Sequence, residues 1–131
     1  MGIAKQYTFD AAHQLWLDAL SDEENGKRFG KCSNLHGHTY SLTVEVYSET
    51  LDMDSMVLNY FKIDEIVKPI VDQVDHTFLN NYLNGLTTAE NICMYFWNLI
   101  WTAMPSHVEL WSIKVQETPK TYALVTRDDI G

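Results

Sequence analysis

Residues 32–38 read Cys-Ser-Asn-Leu-His-Gly-His. The chain holds five histidines and two cysteines, and three of these seven residues fall in that window. Imidazole and thiolate are the side chains that bind zinc and move protons near neutral pH. Side chains on a strand repeat every two residues, so His36 and His38 point the same way, and Gly37 between them lets a backbone or ligand approach. His13 ends an earlier alternating stretch, on its apolar face. Three neutral imidazoles with one open position is the usual arrangement of a catalytic zinc site. The competing explanation is that each ring only satisfies a hydrogen bond in the core. A single histidine favours that explanation; a His-x-His pair with a third ring on the next strand favours metal.

Cys32 is either a fourth ligand, which would close the site and make the zinc structural, or a reactive thiol beside it. Both need the thiolate, which Lys27, Arg28, Lys31 and a metal would all favour. That basic triplet would also suit a polyphosphate, or it is a solvated loop. Asp75 and His76 pair a carboxylate with an imidazole whose tautomer and basicity it can set, or they cap a helix end. Glu117 continues an apolar strand face, where a buried acid needs a partner: a ligand edge with two parallel N–H donors, or a Lys or Arg. His107, in a turn, and Cys93, inside a helix, read as structural.

These groups need elements to hold them. Residues 3–13 alternate, with Ile3, Tyr7, Phe9, Ala11 and His13 on one face, and predict a strand. Residues 18–34 are polar and turn-rich and predict a long loop. From His36 to Glu49 the alternation returns, placing His36, His38, Tyr40, Leu42, Val44 and Val46 together. Ile63, Ile66, Val67, Ile70, Val71 and Val74 follow helical spacing, with Pro69 expected to kink or divide the helix. Thr87 and Glu90 suggest a capping box opening a second helix that runs to about Met104, before Pro105. That helix is apolar on two stripes, Ile92, Phe96, Leu99, Ile100, Ala103 and Met94, Trp97, Trp101, which suggests oligomer contacts. Strands are expected over 108–118, with Trp111, Ile113, Val115 and Glu117 on one face, and over 122–126. The order strand, strand, helix, helix, strand, strand implies an α+β domain: an antiparallel sheet of two hairpins with two helices on one face.

At 131 residues the chain fits a single domain, residues 1–131. A net charge of −9 argues against nucleic acid or an anionic membrane as partner. No segment reaches the ~20 apolar residues of a membrane span, and the N-terminus does not read as a signal peptide. Two cysteines make no disulfide framework, so a reduced, cytoplasmic setting is expected.

Six motifs then fall in order along the chain: Phe9–His13 (FDAAH), SDEEN with FGKC in 21–32, Cys32-x3-HGH, VDHTFLN (74–80), TAEN (88–91) and QETP (116–119). Together they resemble the 6-pyruvoyltetrahydropterin synthase / QueD family over essentially the whole chain. The resemblance implies the tunnelling fold (T-fold), with three subunits closing a barrel and two trimers stacking into a homohexamer whose active sites lie between subunits. It implies Zn2+ on His13, His36 and His38, Cys32 as catalytic base, Asp75 and His76 as its partner dyad, and Glu117 as substrate anchor. The implied enzyme is a carbon–carbon/carbon–oxygen lyase acting on 7,8-dihydroneopterin triphosphate. Three residues between the cysteine and HGH are typical of the QueD type, which makes 6-carboxy-5,6,7,8-tetrahydropterin, acetaldehyde and triphosphate for queuosine and other 7-deazaguanines. Five are typical of 6-pyruvoyltetrahydropterin synthases, which only eliminate triphosphate; here LSDEENGKRFGK resembles the animal-type loop. A non-catalytic structural zinc protein is the further alternative. The chain departs from the family at Asn59-Tyr60, usually Asp-Phe, and at Thr87, usually Pro.

Overall fold

The computed structural model describes residues 1–130. Its frame is two long strands, β1 (Gly2–His13) and β2 (His36–Tyr47), paired antiparallel in unbroken register from Gly2 opposite Tyr47 to His13 opposite His36. That register sets His13 beside His36 and Ala11 beside His38 at one end of the ladder. β4 (Glu109–Thr118) pairs antiparallel with β2, and β5 (Thr121–Thr126) returns beside β4 through a tight turn.

The α+β expectation holds, with one correction to the sheet. A two-residue strand, β3 (Thr77–Phe78), adds parallel to β1, so the five-stranded sheet is mixed, in the order β3-β1-β2-β4-β5. Nothing in two residues carries a period, so no alternation could announce it. The first pair is also no tight hairpin, because the 14–35 connection between β1 and β2 is itself structured.

That connection corrects the long-loop expectation. It holds α1 (Asp22–Phe29) and a 3-10 turn, Gly30–Ser33. Ser21 caps α1 by accepting from the Glu24 N–H, three acids fill the first turn, and Lys27 and Arg28 fill the last, as the helix dipole prefers. Gly30 ends it at φ 59°, a backbone region that favours glycine. Asn25 is fully buried and donates to the carbonyls of Leu17, Leu20 and Ser21, pinning the approach to the helix. Lys27 pairs with Glu23 on the exposed surface, at 3.2 Å.

Two longer helices, α2 (Tyr60–Val74) and α3 (Ala89–Ala103), pack on the sheet. Between them and the inner strand face lies the core, with Phe9, Tyr40, Leu42, Val44, Ile63, Val67, Phe96 and Ile100 among its buried members. Asn59 caps α2 by accepting from the Phe61 N–H, which explains its tolerance in place of an aspartate. Pro69 does not divide α2; it sits exposed, so only its missing N–H is felt. In β4 a bulge corrects the expected face. Val46 faces Leu110 and Glu45 faces Ser112, so the extra residue Trp111 leaves the core and packs on Tyr47. On α3, Trp97 joins the core while Leu99 and Trp101 stay exposed. A short α4 (Arg127–Ile130) follows β5. Among the described residues no helix is long and apolar enough to cross a membrane.

Candidate metal centre and active site

The joined ends of β1 and β2 bring His13, His36 and His38 together. One ring nitrogen from each lies within 4.8 Å of the others, and the ring centroids are 4.6 to 5.2 Å apart. The two strands supply this placement through register and parity alone: all three residues stand on the inner face that Phe9, Ala11 and Tyr40 also occupy.

The hydrogen bonds decide which nitrogens are free. Nδ1–H of His13 donates to the Thr87 carbonyl (2.9 Å), with the Thr87 hydroxyl oxygen at 3.1 Å. Nδ1–H of His36 donates to the Asn34 carbonyl, at 2.7 Å. A carbonyl can only accept, so both Nδ1 atoms carry a proton, and in the neutral ring each Nε2 presents a lone pair. Burial, more than its neighbours, holds the His38 imidazole below its ordinary pKa and hence neutral. His13 is 2% exposed, and its Nε2 is buried without a hydrogen-bond partner. An orphaned buried lone pair is costly unless something takes it up. Three imidazoles, two of them held from behind by a backbone carbonyl on Nδ1, form the donor set that zinc prefers. The residues fit the ion.

Glu117 reaches the same place from β4. Its Oε2 lies 3.3 Å from His13 Nε2 and 3.4 Å from His38 Nε2. The imidazoles, His13 first, hold its carboxyl below the usual range against the opposing effect of burial. A carboxylate facing ring nitrogens is favourable when a proton on a ring or a cation lies between them. The Lys or Arg considered as an alternative partner for Glu117 is not among its contacts; its neighbours are histidines.

Cys32 lines this pocket of about 300 Å³ with the three histidines, Glu90, Glu117 and Thr118. It is exposed, on the 3-10 turn just before β2, and its carbonyl accepts from the Leu15 N–H at 2.7 Å, tying it to the end of β1. Its sulfur does not belong to the group of mutually close ligand atoms. Cys93 lies elsewhere, its thiol buried against β4 and β5 and pushed up to about 11 by burial.

Asp75 and His76 are brought together, but not with Cys32. His76 Nδ1 is 3.0 Å from Asp75 Oδ1, and the pair follows α2 at the β3 edge. The Asp10 N–H, first among its causes, holds the Asp75 carboxyl below its ordinary range. His76 opens onto a concavity lined by Asp10, Ala11, Ala12, Gly37, His38 and Thr39, so His38 borders both this concavity and the pocket of Cys32. Cys32 and His76 thus line different concavities, which meet at His38.

Sequence reasoning missed Thr87 as the partner of His13 and Glu90 as a pocket residue by pairing them in a capping box. The cap of α3 is Thr88, which accepts from the Asn91 N–H; Thr87 is buried against His13. The tandem Thr-Thr allowed either register, and only the third dimension separates them.

The profile of the family described as 6-pyruvoyl tetrahydropterin synthase matches residues 2–128. The chain belongs to this family. It is 32% identical over 127 residues to the 6-pyruvoyl tetrahydrobiopterin synthase of Dictyostelium discoideum, covering 93% of each chain. It is 30% identical over 145 aligned positions to the 6-carboxy-5,6,7,8-tetrahydropterin synthase of Haemophilus influenzae, covering 92% of this chain and 94% of that one. The structure of Caenorhabditis elegans 6-pyruvoyl tetrahydropterin synthase superposes with a TM-score of 0.86 at 31% identity, covering 96% of this chain and 94% of that one. Membership carries the T-fold and a lyase acting on dihydroneopterin triphosphate. Relatives bearing both product names match, so the name alone leaves the product open.

Proposed function

We propose that this chain is a 6-carboxy-5,6,7,8-tetrahydropterin synthase, converting 7,8-dihydroneopterin triphosphate to 6-carboxytetrahydropterin, acetaldehyde and triphosphate. The observation that carries the choice of product is the three-residue link from Cys32 to His36. It runs through the end of the 3-10 turn straight into β2, which leaves the thiol little freedom relative to the triad.

His13, His36 and His38 would hold zinc through Nε2, and the ion would supply Lewis-acid polarisation of the substrate's side-chain oxygens. Cys32, as thiolate, is the base that takes and returns carbon-bound protons of that side chain. Asp75 and His76 are the second acid/base pair, contributed by another chain, because they sit apart from Cys32 within one. Glu117 accepts the adjacent N–H donors of the pterin ring and fixes its orientation. A homohexamer, dimer of trimers, with sites between subunits would bring the two concavities together and cover the β3 and β5 edges.

A second reading is elimination of triphosphate alone, giving 6-pyruvoyltetrahydropterin. It is favoured by the α1 segment, SDEENGKRF, and by full-length relatives of that name. Incubating the enzyme with 7,8-dihydroneopterin triphosphate and assaying acetaldehyde separates the two. The proposal expects acetaldehyde in proportion to substrate consumed; triphosphate release without acetaldehyde would establish the second reading. The structural-zinc alternative needs Cys32 as a ligand, and the sulfur's position outside the triad's group speaks against it.

A further inference from the structure

Asp10 of β1 surrounds the Asp75–His76 pair. Its N–H donates to Asp75 Oδ1 (2.9 Å), and its carbonyl accepts from the His76 N–H (2.6 Å). His76 needs such a hold, because its backbone sits at φ 61°, which costs a residue with a side chain about 1 kcal/mol. The Asp10 side chain converges on the same spot. One of its carboxylate oxygens, one from Asp75 and a ring nitrogen of His76 all lie within 4.8 Å of one another. Thr39 on β2, opposite Asp10 in the ladder, donates its hydroxyl to Asp10 Oδ1 and fixes that carboxylate.

The imidazole thus has two carboxylates near it, Asp75 at 3.0 Å and Asp10 within 4.8 Å, although Asp75 alone suffices to orient its ring through Nδ1. Asp10 is exposed on the outer sheet face and forms no ion pair with any lysine or arginine among the described residues. No cation of the fold therefore balances its charge, and its one side-chain hydrogen bond among these residues is the one from Thr39. Two neighbouring carboxylates repel, and the arrangement becomes favourable when the ring between them takes up a positive charge.

We propose that the Asp10 carboxylate, held by Thr39, is a positioning residue that stabilises His76 as it accepts a proton in the reaction. This rests on the reading of Asp75 and His76 as a catalytic pair. It acts through His76 and not on the substrate, so its loss lowers kcat and leaves KM in place.

The test is steady-state turnover of 7,8-dihydroneopterin triphosphate by the full, zinc-loaded oligomer, for Asp10→Asn, Asp10→Glu, Thr39→Val and His76→Ala. Asp10→Asn keeps the shape and removes the charge. It is expected to lower kcat about tenfold at unchanged KM, the scale of one nearby opposite charge on a protonated ring. Asp10→Glu restores most of that loss, and Asp10→Asn adds nothing to His76→Ala. Should Asp10→Asn fail to fold or to hold zinc, Thr39→Val carries the test with the same expected split. An inactive His76→Ala beside an Asp10→Asn of full kcat overturns this inference alone, as does a loss that glutamate does not restore. An active His76→Ala overturns the catalytic reading of the pair itself.

Discussion

His13 carries the most information of any residue in the site. A backbone carbonyl accepts from its Nδ1–H, and its buried Nε2 has no hydrogen-bond donor and faces Glu117 at 3.3 Å, an arrangement that fits a metal ligand. His13→Ala should abolish bound zinc, measured by elemental analysis of the purified chain. Cys32 behaves differently, since its sulfur lies in the pocket but outside the triad's group. Cys32→Ala should keep its zinc and lose at least about 100-fold in turnover, the lower range for a general base. Loss of the ion in that variant would make the thiol a structural ligand. Glu117 rests against two ring nitrogens, so its proposed role as pterin anchor has a rival as a fourth ligand. Glu117→Gln separates the two: an anchor gives a raised KM with zinc retained, and a ligand gives weakened zinc binding.

Among the elements, those whose alternation or helical spacing runs for several turns were legible. β1, β2, α2 and α3 stand within a few residues of where their patterns place them, and with β1 and β2 came the histidine triad. What failed is local. β3 is too short to carry a period, the bulge at Trp111 reverses parity in mid-strand, and Gly26 hides α1 within a polar stretch whose caps and charges nevertheless fit a helix. The α3 cap was misread by one residue. Thr88→Ala should therefore cost about 1 kcal/mol in denaturant unfolding as the true cap. α2 is tied to β1 by Asp64, which accepts from Lys5 (2.7 Å) and from the Tyr7 hydroxyl (2.6 Å). Lys5 first, then Tyr7, holds the Asp64 carboxyl below its ordinary range. A depressed folded-state value contributes stability at pH above about 4, the unfolded carboxylate's range, and loses it as pH falls through the folded value. Melting temperature followed from neutral to acid pH should therefore drop less steeply in Asp64→Asn than in the native chain, after starting lower. Parallel curves would show that the carboxylate contributes nothing.

At the scale of the whole molecule, Cys32 and His76 line two different concavities that meet at His38. The inner-face pocket holds Cys32, the triad and Glu117; the outer concavity at the β3 edge holds His76, beside Asp75 and Asp10. Sequence spacing could name these residues, since each sits in a recognisable motif, but no spacing reports that the parallel β3 places His76 in a different concavity from Cys32. The exposed Leu99 and Trp101 on α3 and the open sheet edges leave surface for further copies of the chain. The central claim is that one working site draws its thiol from one chain and its dyad from another. Co-refolding Cys32→Ala chains with His76→Ala chains, each inactive alone, tests it most directly through turnover of 7,8-dihydroneopterin triphosphate by the mixed oligomer. A shared site predicts that mixing restores a fraction of native activity, because some interfaces then hold an intact thiol facing an intact dyad. A mixed oligomer as inactive as its two parents would contradict it.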